Sequence, residues 1–156
     1  MKTPGNLLGL AAWLAASLAA GWVGSRFLPG AWYEALAKPA WTPPNGVFAP
    51  VWTALYLLMG TAAWLVWRRA GFAGASAALA LFVAQLALNA LWSYLFFGAH
   101  RIGAALIEVL VLWAVILIVA VLFWRQTRIA GLLMLPYLIW TGFASALNLA
   151  LWRMNR

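Results

Sequence analysis

The chain reads as an all-α membrane protein, a five-transmembrane-helix bundle with a long structured first loop. Three observations predict it. Of its 156 residues, 67% are hydrophobic and only 8% charged, which excludes a soluble globular domain. Five apolar runs each approach the roughly 20 residues a helix needs to cross the hydrocarbon core. None alternates with period two, so helices rather than barrel strands must satisfy the backbone within lipid.

The spans are expected at about 6–25, 47–67, 72–97, 102–124 and 129–151, within a single domain covering 1–156. Lys2 ahead of the first apolar run has the outline of a signal peptide. The run continues through Trp22 and Val23 without a small-x-small cleavage site, so five retained spans are expected. Arg68-Arg69-Ala70-Gly71, Gly98-Ala99-His100-Arg101 and Arg125-Gln126-Thr127-Arg128 read as tight connections that force an up-down bundle. Lys and Arg divide evenly. Lys2, Arg68, Arg69, Arg125 and Arg128 fall on one side, and Arg26, Lys38, Arg101, Arg153 and Arg156 on the other. The positive-inside rule therefore gives no orientation.

The net charge of +8 comes from residues that flank apolar runs, where they meet lipid phosphates; this is not a nucleic-acid surface. With no cysteine, disulfides and thiolate chemistry are excluded. No phosphate loop, metal-ligand set or Ser/His/Asp constellation is evident. His100 reads as a surface loop residue.

The first loop, 27–46, departs from the pattern. Pro29-Gly30 signals a turn, Ala31–Lys38 has the length of about two helical turns, and Pro39, Pro43 and Pro44 stiffen the return. Glu34 and Lys38 stand in the favourable i,i+4 order. Trp32, Tyr33, Leu36 and Trp41 are too apolar for water and should fold back, either as an interfacial staple or as the lid of a ligand cavity.

Twelve tryptophans compare with the roughly two or three of average usage. Trp22, Trp52, Trp64, Trp67, Trp124 and Trp152 lie near run ends and fit an interfacial belt. Trp13, Trp113 and Trp140 fall mid-run, and Trp32 and Trp41 lie in the loop; an aromatic-lined pocket would account for these five. Polar residues join aromatic or small ones at helical spacing: Trp52, Tyr56, Met59 and Ala63; Gln85, Asn89 and Trp92; Trp140, Ala144 and Asn148, with Tyr137 one turn earlier. One such stripe is ordinary helix–helix glue. Three beside a tryptophan-rich loop point to a central pocket. Glu108, two turns inside the fourth run, is the best candidate for a proton-coupling acid. Gly74, Ala78, Ala80, Ala84 and Ala87 give the third helix small residues suited to a homodimer contact.

The stretch Trp32-Tyr33-x-x-Leu36-x-Lys38-Pro39-x-Trp41-x-Pro43-Pro44, running into Val47-Phe48-x-Pro50-Val51-Trp52-Thr53-x-Leu55-Tyr56, resembles the TspO/translocator-protein family of tryptophan-rich sensory proteins. Gln85-Leu86-x-Leu88-Asn89-x-Leu91-Trp92-Ser93 and Pro136-Tyr137-Leu138-Ile139-Trp140-x-x-x-Ala144-x-x-Leu147-Asn148 agree with it too. The resemblance implies a five-helix protein of a membrane, here a bacterial cell membrane. It would commonly be dimeric and bind porphyrins, sterols or synthetic aromatic ligands such as benzodiazepines under the first loop. Carried over residue by residue, the ligand positions are Trp41, Trp52, Tyr56, Asn89, Trp92, Trp140, Ala144 and Asn148. No cofactor is obligatory, and porphyrin or haem enters as ligand. A receptor role is expected first. The alternatives are a transporter, and a light-dependent porphyrin-degrading enzyme in which Trp52 and Trp140 are the catalytic candidates. Two features depart from the family pattern. Ala40 and Gly46 stand where several relatives carry aromatics. No Lys or Arg follows Tyr137 before Arg153, which weakens the sterol expectation; the loose sterol pattern Leu28-x4-Tyr33-x4-Lys38 carries little weight.

Overall fold

The computed structural model describes residues 4–156, with side chains from Asn6 onward, so Lys2 and its place in the charge count lie outside the described residues. Six helices follow one another: α1 (Pro4–Gly24), α2 (Ala31–Ala35), α3 (Asn45–Gly74), α4 (Ser76–Ser93), α5 (Ile102–Gln126) and α6 (Arg128–Met154). A π-helical turn, Tyr94–Gly98, extends α4. All but the short α2 are long and apolar enough to cross a membrane. They close a ring in the order α1, α3, α6, α5, α4 and back to α1, and α5 and α6 form the most extensive contact.

Three connections test the expected turns. The α5–α6 connection is tighter than expected, because Thr127 alone, in an extended conformation, separates the two helices. Gly131 of α6 can then lie against Trp124 of α5, where a Cβ would sit 2.7 Å from the Trp124 Cβ. The expected break at Arg68–Gly71 falls later. Gly71 takes φ 65° and ψ −176°, the chain gains another helical turn, and Ala75 makes the join. Arginine is a good helix former, so Arg68 and Arg69 continue α3. Only the residue without a Cβ can adopt the turn conformation without strain. The loop helix α2 is also shorter than the expected two turns, at five residues.

Five serine and threonine hydroxyls within the spans bond to their own helix rather than to another. Ser17, Thr53, Thr61, Thr141 and Ser145 each donate to the carbonyl four residues earlier on their own helix. That satisfies a donor where lipid offers no acceptor. At the helix ends Arg26 lies over Trp22, Arg68 over Trp64 and Arg156 over Trp152, at 4.3–5.2 Å, which suits an interface where ring and cation occupy adjacent layers. The main core is made of Leu55, Tyr56, Met59, Phe82, Leu112, Ile116, Phe123, Met134 and Tyr137, with smaller residues between them.

The small residues expected on the third span divide. Ala80, Ala84 and Ala87 are exposed on α4, whereas Ala78 is buried inside the bundle and Gly74 belongs to the end of α3. Helical spacing explains this, because Ala78 lies on the face of Phe82, Gln85 and Asn89, which points inward.

The backbones of α1 and α3 come close at Gly60, where a Cβ would lie 3.0 Å from the Trp13 carbonyl oxygen and 3.1 Å from the Leu14 Cα. Backbone cannot retreat as a side-chain tip can. Gly60→Val should therefore lower stability by about 1–3 kcal/mol, read as an earlier thermal transition in detergent. Gly46→Ala, with nothing within 4 Å, should stay within about 0.5 kcal/mol. Equal effects at the two sites would contradict this packing.

Candidate functional site

A cavity of about 490 Å³ opens at the end of the bundle that carries the first loop. Its walls follow from helical spacing. On α3, Phe48, Trp52 and Tyr56 repeat every four residues, and Trp52 and Tyr56 stack at 5.7 Å. On α6, Trp140, Phe143, Ala144, Leu147, Asn148 and Leu151 share one face. Phe48 meets Trp140 edge-on at 6.0 Å, joining the two walls. On α4 the wall is Asn89, Trp92 and Ser93, continued by Phe96 and Phe97 of the π-helical turn. Trp92 stacks on Phe96 at 5.2 Å and meets Phe97 edge-on at 5.8 Å. α1 supplies Leu18, Gly21 and Trp22, and Ser25 follows just past its end. Tyr56 packs so closely over Gly21 that a Cβ there would run into its ring.

Polar groups of the cavity wall are tied to their neighbours in two chains of hydrogen bonds. The Tyr56 hydroxyl donates to Asn89 Oδ1. Asn89 Nδ2 donates to the Tyr137 oxygen at 2.9 Å, and the Tyr137 hydroxyl donates to Gln85 Oε1 at 2.7 Å. Gln85 Nε2 then reaches Met59 Sδ at 3.7 Å. One chain of hydrogen bonds thus runs from the cavity wall into the core and links α3, α4 and α6. A second begins at Trp92, whose Nε1 donates to Asn148 Oδ1 at 3.0 Å, and Asn148 Nδ2 donates to the Ile102 carbonyl at 3.0 Å. That bond fixes the start of α5. Asn89 and Asn148 each use both ends of the amide, so neither is left unsatisfied at membrane depth.

The first loop forms the lid. Phe27, Leu28, Pro29 and Tyr33 line the cavity. Tyr33 is buried edge-on against Phe96 and Phe97, and burial raises its phenol above the usual range, so it stays neutral. Lys38 does not pair with the Glu34 carboxylate as their spacing suggested. Its ammonium donates to the Glu34 and Leu36 carbonyls at 3.0 and 3.1 Å and lies over the Tyr33 ring. Two contacts hold the lid from outside. The Asn155 amide accepts from the Ala37 N–H and donates to its carbonyl, both at 2.9 Å. Trp32 stacks on His100 at 4.1 Å with 10° between planes, and His100 itself takes φ 56°. The surface histidine is thus exposed, as expected, and also acts as a seat for the loop.

Of the eight residues singled out in the sequence, Trp52, Tyr56, Asn89, Trp92, Trp140, Ala144 and Asn148 line this one cavity. Trp41 does not. It is 50% exposed and meets the outer side of Phe143 edge-on at 5.7 Å, because Thr42 turns back onto the Pro39 carbonyl and carries Trp41 outward. The assignment of tryptophans to pocket and belt also changes. Trp13 packs edge-on against Phe82, and Trp113 pins α5 to α6 by donating to the Leu138 carbonyl. Neither lines the cavity, whereas Trp22 does. Sequence reasoning missed Phe48, Phe143, Leu147 and Leu151, although each lies one helical turn from a residue it had named. It also missed the wall from α1, where Leu18, Gly21 and Trp22 share one face and Ser25 follows the helix end. Among the described residues no group of three or more His, Asp or Glu is placed to hold a metal ion.

Fold and site together define a multi-pass membrane protein of five spans, four of which (α1, α3, α4 and α6) enclose an aromatic-walled cavity, its volume within the roughly 300–1,000 Å³ typical of small-molecule sites. Residues 11–153 match the model of the TspO/MBR family. The chain is 40% identical to the protein CrtK of Rhodobacter capsulatus, over 93% of this chain and 91% of that one. It is 42% identical to the tryptophan-rich protein TspO of Archaeoglobus fulgidus, over 96% and 99%. With the human translocator protein it shares 41% identity, over 85% and 82%. The chain belongs to the TspO/MBR family.

The Asn155 clasp is the longest-range polar contact of the lid. Asn155→Ala removes both hydrogen bonds to Ala37, each contributing about 0.5–1.5 kcal/mol. Amide exchange at Ala37 should then accelerate by about tenfold or more. Trp41→Ala should leave that amide protected. Unchanged exchange in Asn155→Ala would mean that the lid is held by its aromatic contacts alone.

Proposed function

We propose that this protein is a membrane receptor for porphyrins or similar large, flat, hydrophobic ligands, bound between the first loop and α1, α3, α4 and α6. One observation carries the reading. Trp52, Tyr56, Trp92, Phe96, Trp140 and Phe143 present rings to a single cavity, which Asn89 and Asn148 also line. Such walls suit a π-system, which gains about 0.5–1.5 kcal/mol per aromatic pair beyond area burial. Beyond their internal bonds, Asn89 and Asn148 each keep a second amide proton and the Tyr56 oxygen keeps lone pairs, and these orient a ligand. Synthetic aromatic ligands of benzodiazepine type suit the same walls. A sterol has no comparable support, because the loose pattern in the loop spends Tyr33 and Lys38 on internal contacts.

Five spans cannot form two equal inverted halves within one chain, so a transporter would need a second copy. The exposed face of α4, with Ala80, Ala84 and Ala87, is where we propose a homodimer forms. Lipids would cover the remaining outer faces. The relatives from Rhodobacter capsulatus and Cereibacter sphaeroides support a bacterial cell membrane as the setting. The enzyme reading has one observation in its favour: Trp52 and Trp140 line the same cavity. Product analysis of bound porphyrin after illumination in air, with and without Trp140, separates it from simple binding.

The receptor reading makes a direct prediction for quenching of tryptophan fluorescence by protoporphyrin. Trp140→Ala should weaken binding at least about tenfold, the equivalent of about 1.4 kcal/mol. Trp124→Ala, on an exposed residue outside the cavity, should leave the affinity unchanged. Equal losses would mean that pigment partitions into lipid near any tryptophan.

The lid should set the rate of exchange. Pro43→Ala with Pro44→Ala loosens the unfolded loop, adding about 0.4–1 kcal/mol to the entropy lost on ordering at each site. Protoporphyrin should leave faster while helicity is unchanged. Identical off-rates would make the loop a structural staple.

A further inference from the structure

The chain contains two acidic residues, Glu34 and Glu108. Glu34 is exposed on the loop. Glu108 is 8% exposed within α5, and both its carboxyl oxygens are buried without a hydrogen-bond partner. An unpaired carboxylate is among the costliest groups to hold at membrane depth, and the neutral acid is the form such a place accommodates.

Among the described residues no cation is placed to neutralise it. α5 packs against α4 and α6, and more lightly against α3 and the π-helical turn. α4 carries no ionisable side chain. α6 has Arg128 and Arg153 at its two ends and Tyr137 between them. α3 has Tyr56, with Arg68 and Arg69 toward its far end, and the π-helical turn has only the exposed Tyr94. On the chain of α5 itself, Arg101 precedes the helix and Arg125 is in its last turn. Ala105, one turn before Glu108 on the same helix, packs with Phe96, Leu147 and Leu151, all of which line the cavity. Tyr137 is hydrogen-bonded to Asn89, which lines the cavity.

We propose that Glu108 is a proton-binding site coupled to the cavity, so that filling the cavity and protonating Glu108 favour each other. This rests on the cavity being the ligand site. The step is the addition of one solvent proton to one carboxylate oxygen, with no other bond changed. A ligand that displaces water from the cavity removes high-dielectric medium on the far side of the Phe96, Leu147 and Leu151 layer against which this turn of α5 packs, which disfavours the charged form. Linkage makes the effect reciprocal: the proton tightens ligand binding by the factor by which ligand tightens proton binding. The sign follows. Affinity is greatest while Glu108 is protonated and falls as rising pH removes the proton.

Having only two acids makes the test clean. The carboxylic C=O stretch is followed by infrared spectroscopy against pH, with the protein in lipid nanodiscs, for the unaltered chain, Glu34→Gln and Glu108→Gln. A protonated-acid band should persist above the ordinary carboxylate range in the first two and be missing in Glu108→Gln. Binding is measured in parallel with zinc protoporphyrin dimethyl ester, which has no free carboxylate. Its affinity should fall about tenfold across the titration of that band in the unaltered chain and Glu34→Gln, and stay level in Glu108→Gln. Glu108→Asp serves if Glu108→Gln does not fold; it should shift the band and the affinity profile together. Loss of the band at ordinary carboxylate pH in the unaltered chain would overturn the proposal. So would the same affinity profile with and without Glu108. If the ester binds at no pH, the cavity reading falls and the coupling with it, while the band still reports independently on Glu108 as a proton site.

Discussion

The Asn89 amide accepts from Tyr56 and donates to Tyr137, and so ties α3, α4 and α6 at one depth in the membrane. Within lipid the hydrophobic effect does not discriminate between one apolar helix face and another, so rotation about each helix axis must be fixed by packing and polar contacts. Once these three groups are joined, the faces carrying Trp52, Trp92 and Trp140 have no freedom to turn toward lipid. The cavity is therefore a consequence of the polar knot beneath it. Removing the amide would leave two buried hydroxyls short of a partner, which costs more than the bond itself contributes.

The lid obeys a different logic. Its backbone lies outside the bundle and has few helical bonds of its own, so it is held by whatever the neighbouring ends offer. Asn155 gives Ala37 both a donor and an acceptor, as an adjacent strand would. His100 supplies a flat face for Trp32, from a turn in which a non-glycine residue takes positive φ. These anchors come from the α4–α5 turn and the carboxyl-terminal end, 68 and 118 residues away from their loop partners in sequence. The part of the lid over the cavity, from Phe27 to Pro29, carries neither anchor. Loop-closure entropy for contacts of this range must be met by the rest of the fold, which places the lid among the elements that open at lowest cost.

Much of this was legible before any coordinates. The five spans follow from length and hydropathy, and the three stripes follow from helical spacing, because an amide or phenol in an apolar run must face protein. Seven of the eight residues singled out share the cavity for that reason. What could not be read depends on tertiary geometry. Trp41 and Trp32 have the same loop context, yet one stands outside Phe143 and the other stacks on His100. Trp113 is mid-helix like Trp140, but only the partner helix decides that its N–H meets the Leu138 carbonyl. The contribution of α1 was hidden because Gly21 and Ser25 look like ordinary small residues until Tyr56 and the lid are placed beside them. Gly71, by contrast, was marked as a turn, and its helix end fell three residues later because Phe72–Gly74 adds a last turn.

The central claim is that the aromatic walls enclose a ligand rather than merely packing the bundle. The most direct measurement is a structure of the protein in a lipid bilayer with protoporphyrin bound. This account places the macrocycle beneath Phe27–Pro29, against Trp52 and Trp140, with its polar edge toward Asn89 and Asn148. Pigment found only on the outer, lipid-facing side of the helices, with the Trp52–Trp140 cavity free of it, would contradict the account.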